Sequence, residues 1–372
     1  MLKGYRFRDL RIRLIVYVII LSIIGIVVIG SAKHSLQMKQ MIGLCLALTG
    51  MSIFTVIDYK FLLRFYWIWY IIAVLLLVAV LALGEEVNGA TRWISVAGIQ
   101  FQPSEFAKVL LILFFSAFFT NHREKINDIK FLCISFGLFS VPALLIIKEP
   151  NLSTTIIVSL LFVTLLFIAG LSYKIIGSVL AVGIPLGIIG LILIIKRVIP
   201  FHVYQYNRIM AWIHPSEYSD NAYQQVYSVK AIASGQLWGK GLYNNSITSV
   251  KNGNFISEPQ TDFIFSVVGE ELGFVGCIIV IGLLLLIVFE CIRIARKSST
   301  LQGTMIASAV AAWIGFQGFI NICVATGMMP NTGQPLPFVS YGLTSLVSLY
   351  IGIGILLNIG LQSKTYRLGD IR

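Results

Sequence analysis

EPQTDFIFSVVGEELGFVGCIIVIGLLLLIVF, residues 258–289, sets four acids, Glu258, Asp262, Glu270 and Glu271, ahead of a run that carries no charge from Leu272 to Phe289. A membrane-crossing helix takes about 20 mostly apolar residues, so the stretch 263–289 is long enough to cross, with its carboxylates gathered where the helix begins. Reading it as a span commits the chain to the bilayer. The question it leaves is what carboxylates do at that mouth.

The rest of the chain agrees. It has 372 residues, 57% of them hydrophobic and 12% charged, and a mean hydropathy of +0.88, outside the range of soluble domains. Nine further runs are long and apolar enough to cross, at roughly 14–32, 40–57, 66–83, 105–120, 131–147, 152–169, 175–196, 304–326 and 342–360. The fold class expected is therefore an all-α polytopic membrane protein of about ten transmembrane helices, read as one membrane domain over 1–372. Its first span follows the basic run MLKGYRFRDLRIR but exceeds the roughly 7–15 residues of a signal-peptide core, so it is read as retained.

An even number of spans puts both termini on one side. Taking that side as cytoplasmic collects Lys3, Arg6, Arg8, Arg11, Arg13, Lys60, Arg64, Arg123, Lys125, Lys130, Lys174, Arg293, Arg296, Lys297, Lys364, Arg367 and Arg372 inside, 17 of the 28 Lys and Arg, a strong positive-inside bias. The net charge of +12 then reports orientation, with attraction to anionic membrane lipids as a by-product. No soluble basic domain is present to hold nucleic acid, so no nucleic-acid partner is expected. The five cysteines fall in or beside apolar spans, which argues against a disulfide framework, and the four histidines are too scattered for a metal site.

Three segments interrupt the short connections, all outward-facing on this topology: 84–104, the long loop 197–262 between spans seven and eight, and 327–341. In the long loop, Val226, Val229, Ile232 and Ala233 recur at helical spacing, so 223–235 reads as a helix along the membrane interface. Ionisable and polar groups near hydrocarbon are costly and mark functional sites by default. In QPSEFAKV (102–109), Pro103 suits a first helical turn, and Ser104, Glu105 and Lys108 share a face. Glu105 and Lys108 can pair and merely neutralise each other, or Lys108 can stand ready for a phosphate.

On a helix opening at Asp262, Ser266 and Glu270 fall along the same side, with Glu270 about 12 Å deeper, which would line one cleft. Thr261 and Asp262 could equally serve as a helix cap. The prolines and glycines of 327–341 stiffen a non-helical segment, and its Asn331, Thr332, Gln334, Ser340 and Tyr341 suit a lined cavity, while a plain hairpin would also account for it. Arg92 and Trp93 read as an interfacial pair or as part of the site, and EPNLSTT (149–155) adds a polar break between spans.

Taken together, NGATRWISVAGIQFQPSEFAK, EPQTDFIFSVVGEELGF and PNTGQPLPFVSYG, in this order among ten spans, resemble the SEDS family (shape, elongation, division and sporulation; RodA, FtsW and SpoVE) over essentially the whole chain. The resemblance implies a peptidoglycan glycosyltransferase of the bacterial cytoplasmic membrane. It would polymerise lipid II into undecaprenyl-linked glycan at the outer face, beside a class B penicillin-binding protein that crosslinks the strands. The family's essential aspartate corresponds to Asp262, expected to act as general base. Expected on the substrate are Arg92, Trp93, Ser104, Glu105, Lys108, Asn151, Thr261, Glu270, Thr332, Pro335, Ser340 and Tyr341, with Lys108 and Arg92 facing the leaving diphosphate. No cofactor is assigned, and a divalent cation is left open.

Three positions depart from the family pattern: Asn151 stands where an aspartate is usual, Gln260 where a histidine often precedes the TDF motif, and Leu343 where a glycine is common. The short termini and IDYKFLLRFYW (57–67) lean toward the RodA-like, elongation branch. Two rivals belong to other classes: a lipid-linked precursor flippase, whose charges should run along a path into the inner half of the membrane, and an inactive scaffold for the penicillin-binding partner.

Overall fold

Apolar runs of this length must close their own backbone hydrogen bonds in lipid, and the helix does so within one segment. In the computed structural model the described residues are 10–362, except 88–89, 97–98, 197–202, 244–248, 250–255 and 257. The Lys and Arg assigned to the inside at positions 3, 6, 8, 364, 367 and 372, and parts of the segments 84–104 and 197–262, thus lie outside the described residues. Among the described residues there are thirteen α-helices, α1 Ile12–Ala32, α2 His34–Val56, α3 Tyr59–Arg64, α4 Tyr66–Leu83, α5 Pro103–Asn121, α6 Ile129–Lys148, α7 Leu152–Ala169, α8 Tyr173–Ile195, α9 Val203–Ile213, α10 Ser219–Ser234, α11 Ile264–Lys297, α12 Leu301–Ala325 and α13 Leu343–Leu361. Ten of them, all but α3, α9 and α10, are long and apolar enough to cross a membrane. This is a multi-pass membrane protein, and the spans expected from hydropathy fall where the helices do.

The centre of the bundle is built by α5, α12 and α13, whose side chains are mostly buried on every side. Phe114 of α5, fully buried, meets Tyr70 of α4 at 4.5 Å between ring centroids, and Phe115 meets Phe162 of α7 at 5.1 Å. Small residues let neighbouring backbones approach where lipid offers no hydrophobic drive: a Cβ on Gly25 of α1 would lie 2.7 Å from the carbonyl oxygen of Val339. By contrast, α8 stands apart, with Val179, Val182, Leu186 and Ile189 each more than half exposed, a surface suited to lipid.

Helix ends follow local chemistry. Asn151 caps α7 by accepting from the Thr154 N–H at 3.2 Å, and Thr300 caps α12 from the Gly303 N–H at 3.1 Å. Leu343, at the position of the family's common glycine, opens α13 in helical conformation and lays its side chain over Gly43 of α2, where a Cβ would meet it at 2.3 Å.

Two features go beyond the sequence reading. Between α4 and α5 the chain forms a three-stranded antiparallel sheet, β1 Glu85–Val87, β2 Ala90–Val96 and β3 Ile99–Phe101, in that spatial order. The span expected at 263–289 is a helix pair broken at Gly273, whose φ of 66° and ψ of −165° leave the helical region. The part from Phe274 to Lys297 still rises about 36 Å at ~1.5 Å per residue, enough for the bilayer core. The polar groups freed by the break are met by the chain following α10: the N–H groups of Phe274 and Val275 donate to Gln236 and Leu237, and those of Lys240 and Gly241 donate to Glu270 and Glu271, at 2.8–3.2 Å. Irregular backbone at this depth is tolerated because protein surrounds it.

The helix expected at 223–235 is α10, and it turns its polar residues toward the bundle. Gln225 donates to the carbonyls of Val324 and Met329 and Ser228 to that of Ala325. Val226 and Val229 stay 37% and 40% exposed, an apolar outer side suited to the interface.

Candidate active site

The segment after α12 does not loop over the surface. Gln334, Leu336, Phe338, Val339 and Ser340 are buried, and its polar atoms secure the turn that carries Asp262. Ser340 Oγ accepts from the Leu336 N–H at 2.7 Å and donates to the Thr261 carbonyl at 2.6 Å, while the Tyr341 N–H donates to the Gln260 carbonyl at 2.9 Å. From α12, Asn321 Nδ2 donates to the carbonyls of Asp262 at 2.8 Å and Gln334 at 2.6 Å. Asp262 is therefore held on rigid elements from two sides.

Three charged groups converge on Gly333, whose φ is +72°. A Cβ there would stand 3.3 Å from Asp262 Oδ2, 3.5 Å from Arg208 Nη1 and 3.8 Å from Arg92 Nη1. Only glycine leaves that space open and takes that backbone conformation freely. Arg92 comes from β2 and is fixed by donation to the carbonyls of Glu149, at 3.3 Å, and Pro150. Arg208 comes from α9 and donates to the Asn331 carbonyl at 3.2 Å.

Burial raises the Asp262 carboxyl above the ordinary carboxylate range, Arg208 and Arg92 pull it back down, and Glu258 adds to the rise. A carboxylate so poised can take a proton from a hydroxyl, and the two guanidinium groups can hold phosphate oxygens.

Comparison with known proteins points one way. Residues 9–365 match the family model for FtsW, RodA and SpoVE, described as cell cycle protein. The chain belongs to this family. A relative in Haemophilus influenzae, a probable peptidoglycan glycosyltransferase FtsW, is 33% identical over 308 residues, covering 82% of this chain and 75% of that one. The peptidoglycan glycosyltransferase MrdB of Escherichia coli K12 is 36% identical over 297 residues, covering 79% and 77%. Among solved structures, RodA of Thermus thermophilus superposes with a TM-score of 0.70 at 25% identity over 98% of this chain and 99% of that one. A chain of a peptidoglycan synthase complex that coordinates polymerization and crosslinking does so with a TM-score of 0.77 at 27% identity, over 96% and 98%.

Within this FtsW/RodA/SpoVE framework the expected site residues separate into groups. Asp262, Arg92, Thr261, Ser340 and Tyr341 come together as described. Asn151, Thr332 and Pro335 lie in the supporting layer: Asn151 caps α7, the Thr332 carbonyl accepts from Ser153, and the Pro335 carbonyl accepts from Gln317 at 2.9 Å. Trp93, next to Arg92 on β2, pairs with Glu85 of β1 across a register shift that leaves Arg92 as the extra residue.

Glu105 and Lys108 do pair, at 2.7 Å and almost wholly buried. Lys108 also donates to Gln317 at 3.1 Å and lies 4.8 Å from the Trp313 ring centroid. Its ammonium is enclosed in the bundle, and Ser104 beside it is buried too.

Glu270 does not share a cleft with Asp262. The helix starts at Ile264, after a turn, so Asp262 is out of helical register with Ser266 and Glu270. Ser266 accepts from Ser228 of α10 at 3.0 Å, and Glu270 binds Lys240 at 3.0 Å and Ser249 at 3.3 Å. Nor do Thr261 and Asp262 cap α11, since the capping position is Phe263 with no side-chain bond and Thr261 Oγ1 donates to the Glu258 carbonyl.

Sequence reading missed Arg208, Asn321 and Gln317. Each carried a signal: an arginine among aromatic residues in YQYNRIMAW, and two amides inside the apolar span FQGFINICVA. Among the described residues no three His, Cys, Asp or Glu side chains are grouped as a metal site would group them.

Proposed function

We propose that this chain is a peptidoglycan glycosyltransferase that polymerises lipid II at the outer face of the bacterial cytoplasmic membrane. The convergence of Asp262, Arg92 and Arg208 on Gly333 carries this reading, and the names of the relatives agree with it. Joining two sugars needs a hydroxyl to lose its proton while a lipid diphosphate leaves. Asp262 takes the proton from the acceptor's 4-hydroxyl, which attacks the anomeric carbon of the donor strand with inversion. Proton transfer of this kind contributes about 10²–10⁴-fold.

The two arginines hold the departing diphosphate, stabilising charge where it develops. Arg208 takes the part the sequence suggested for Lys108, because Lys108 is enclosed by Glu105, Gln317 and Trp313. The transpeptidase partner, a class B penicillin-binding protein, is supported by the likeness to a chain of a synthase complex. Of the acids on α11, Glu270 is held by Lys240, Glu271 by Ser31 and Glu290 by Arg293, which speaks against a flippase path of open charges along that helix. The test is lipid II polymerisation by the purified chain with its transpeptidase, wild type against Arg208→Ala and Arg92→Ala. Both variants should lose at least about tenfold in rate. Unchanged rates would remove the arginines from the mechanism.

A further inference from the structure

Glu149 has no part in the mechanism above, yet it sits against it. It closes α6 with 0% exposure, and both carboxyl oxygens are buried without a hydrogen-bond partner. Two residues on, Asn151 caps α7 while its Nδ2 is likewise buried and unbonded. Across this junction lies Arg92, bonded to the carbonyls of Glu149 and Pro150 through Nε and Nη2, with Nη1 turned to Gly333 and Asp262. One guanidinium thus joins Glu149 to the Asp262 turn.

An ionised carboxylate sealed from water and lacking hydrogen bonds is so costly that such a group takes up a proton instead. Burial pushes Glu149 up to about 8, and Arg92 is the charge that opposes the rise. The neighbouring Lys148 on α6 is exposed. Arg208 on α9 and Glu258 in the turn act on Asp262.

We infer that Glu149 is a positioning residue that must be neutral for glycosyl transfer: as the acid it leaves the charge of Arg92 to Asp262 and the leaving diphosphate, and as the carboxylate it claims that charge. This rests on the glycosyltransferase reading and adds to it a control by pH that acts through Arg92.

The test is the rate of lipid II polymerisation with the partner transpeptidase between about pH 6.5 and pH 9.5, for wild type, Glu149→Gln and Glu149→Met. A group titrating near 8 is about nine-tenths ionised one unit higher, so the wild-type rate should fall about tenfold from its neutral value by pH 9. In both variants, which have no proton to lose, the ratio of the two rates should stay within about twofold of unity. A wild type with no alkaline fall overturns the inference without any variant, and so does the same fall in Glu149→Gln or Glu149→Met. A wild type inert at every pH would instead strike the glycosyltransferase reading itself.

Discussion

Asn321 ties Asp262 to Gln334: one amide nitrogen donates to both main-chain carbonyls, at 2.8 Å and 2.6 Å. The bond fixes the turn holding the candidate base against the segment holding Gly333. Losing a buried donor strands two carbonyls, at about 1–3 kcal/mol each in desolvation. Asn321→Ala should therefore lower the polymerisation rate at least tenfold, while pull-down with the transpeptidase stays intact. A rate near wild type would show that the turn holds its geometry without α12.

Gly333→Ala tests the convergence itself. The added methyl falls 3.3 Å from Asp262 Oδ2 and 3.5 Å from Arg208 Nη1 at a φ of +72°, so it strains the backbone and presses on the Asp262 carboxylate. The expected outcome is a loss of activity of tenfold or more with only a modest drop in melting temperature. Full activity would mean the three groups need not meet there.

Glu105 and Lys108 should behave as a structural pair. Removing one partner leaves a buried charge and costs about 3–5 kcal/mol, whereas replacing both by apolar residues can be nearly neutral. Lys108→Met should melt early, and Glu105→Leu combined with Lys108→Met should recover much of the lost stability. If the double variant folds, binds the transpeptidase and polymerises, Lys108 has no direct part in catalysis. If it folds but is inert, the lysine reaches substrate in a state that opens the bundle.

Much of the fold was legible in the sequence because bilayer physics writes in long, uniform runs: the ten apolar stretches and Asp262 just ahead of a helix follow from chain order alone. The Gly273 break was hidden because one glycine in an apolar run is common, and the bonds that permit it come from Gln236 to Gly241, some 30 residues earlier. Expecting Glu270 beside Asp262 assumed a helix from residue 262, but the turn before Ile264 shifts the register. Arg208 was out of reach because α9 and Gly333 meet only through tertiary packing. The small sheet was missed because strands of three to seven residues give little periodicity.

The acid side of the pH profile follows from Asp262. As a base it must be ionised, and burial raises its proton affinity while Arg208 and Arg92 lower it. Activity should therefore increase with pH through a midpoint above the ordinary aspartate value. Arg208→Gln removes one lowering charge, so the midpoint should move to higher pH alongside any loss in rate. A midpoint that stays put, or moves down, would contradict the role given to Arg208.

Lipid II polymerisation by the purified chain with its transpeptidase, comparing wild type with Asp262→Ala and Asp262→Asn after each is shown to fold and to bind the partner, tests the glycosyltransferase role most directly. Wild type should produce glycan strands, and both variants should lose at least about 10²-fold in rate. Strand synthesis at the wild-type rate by either variant would contradict catalysis by Asp262, and an inert wild type that moves lipid II across vesicles would establish a flippase instead.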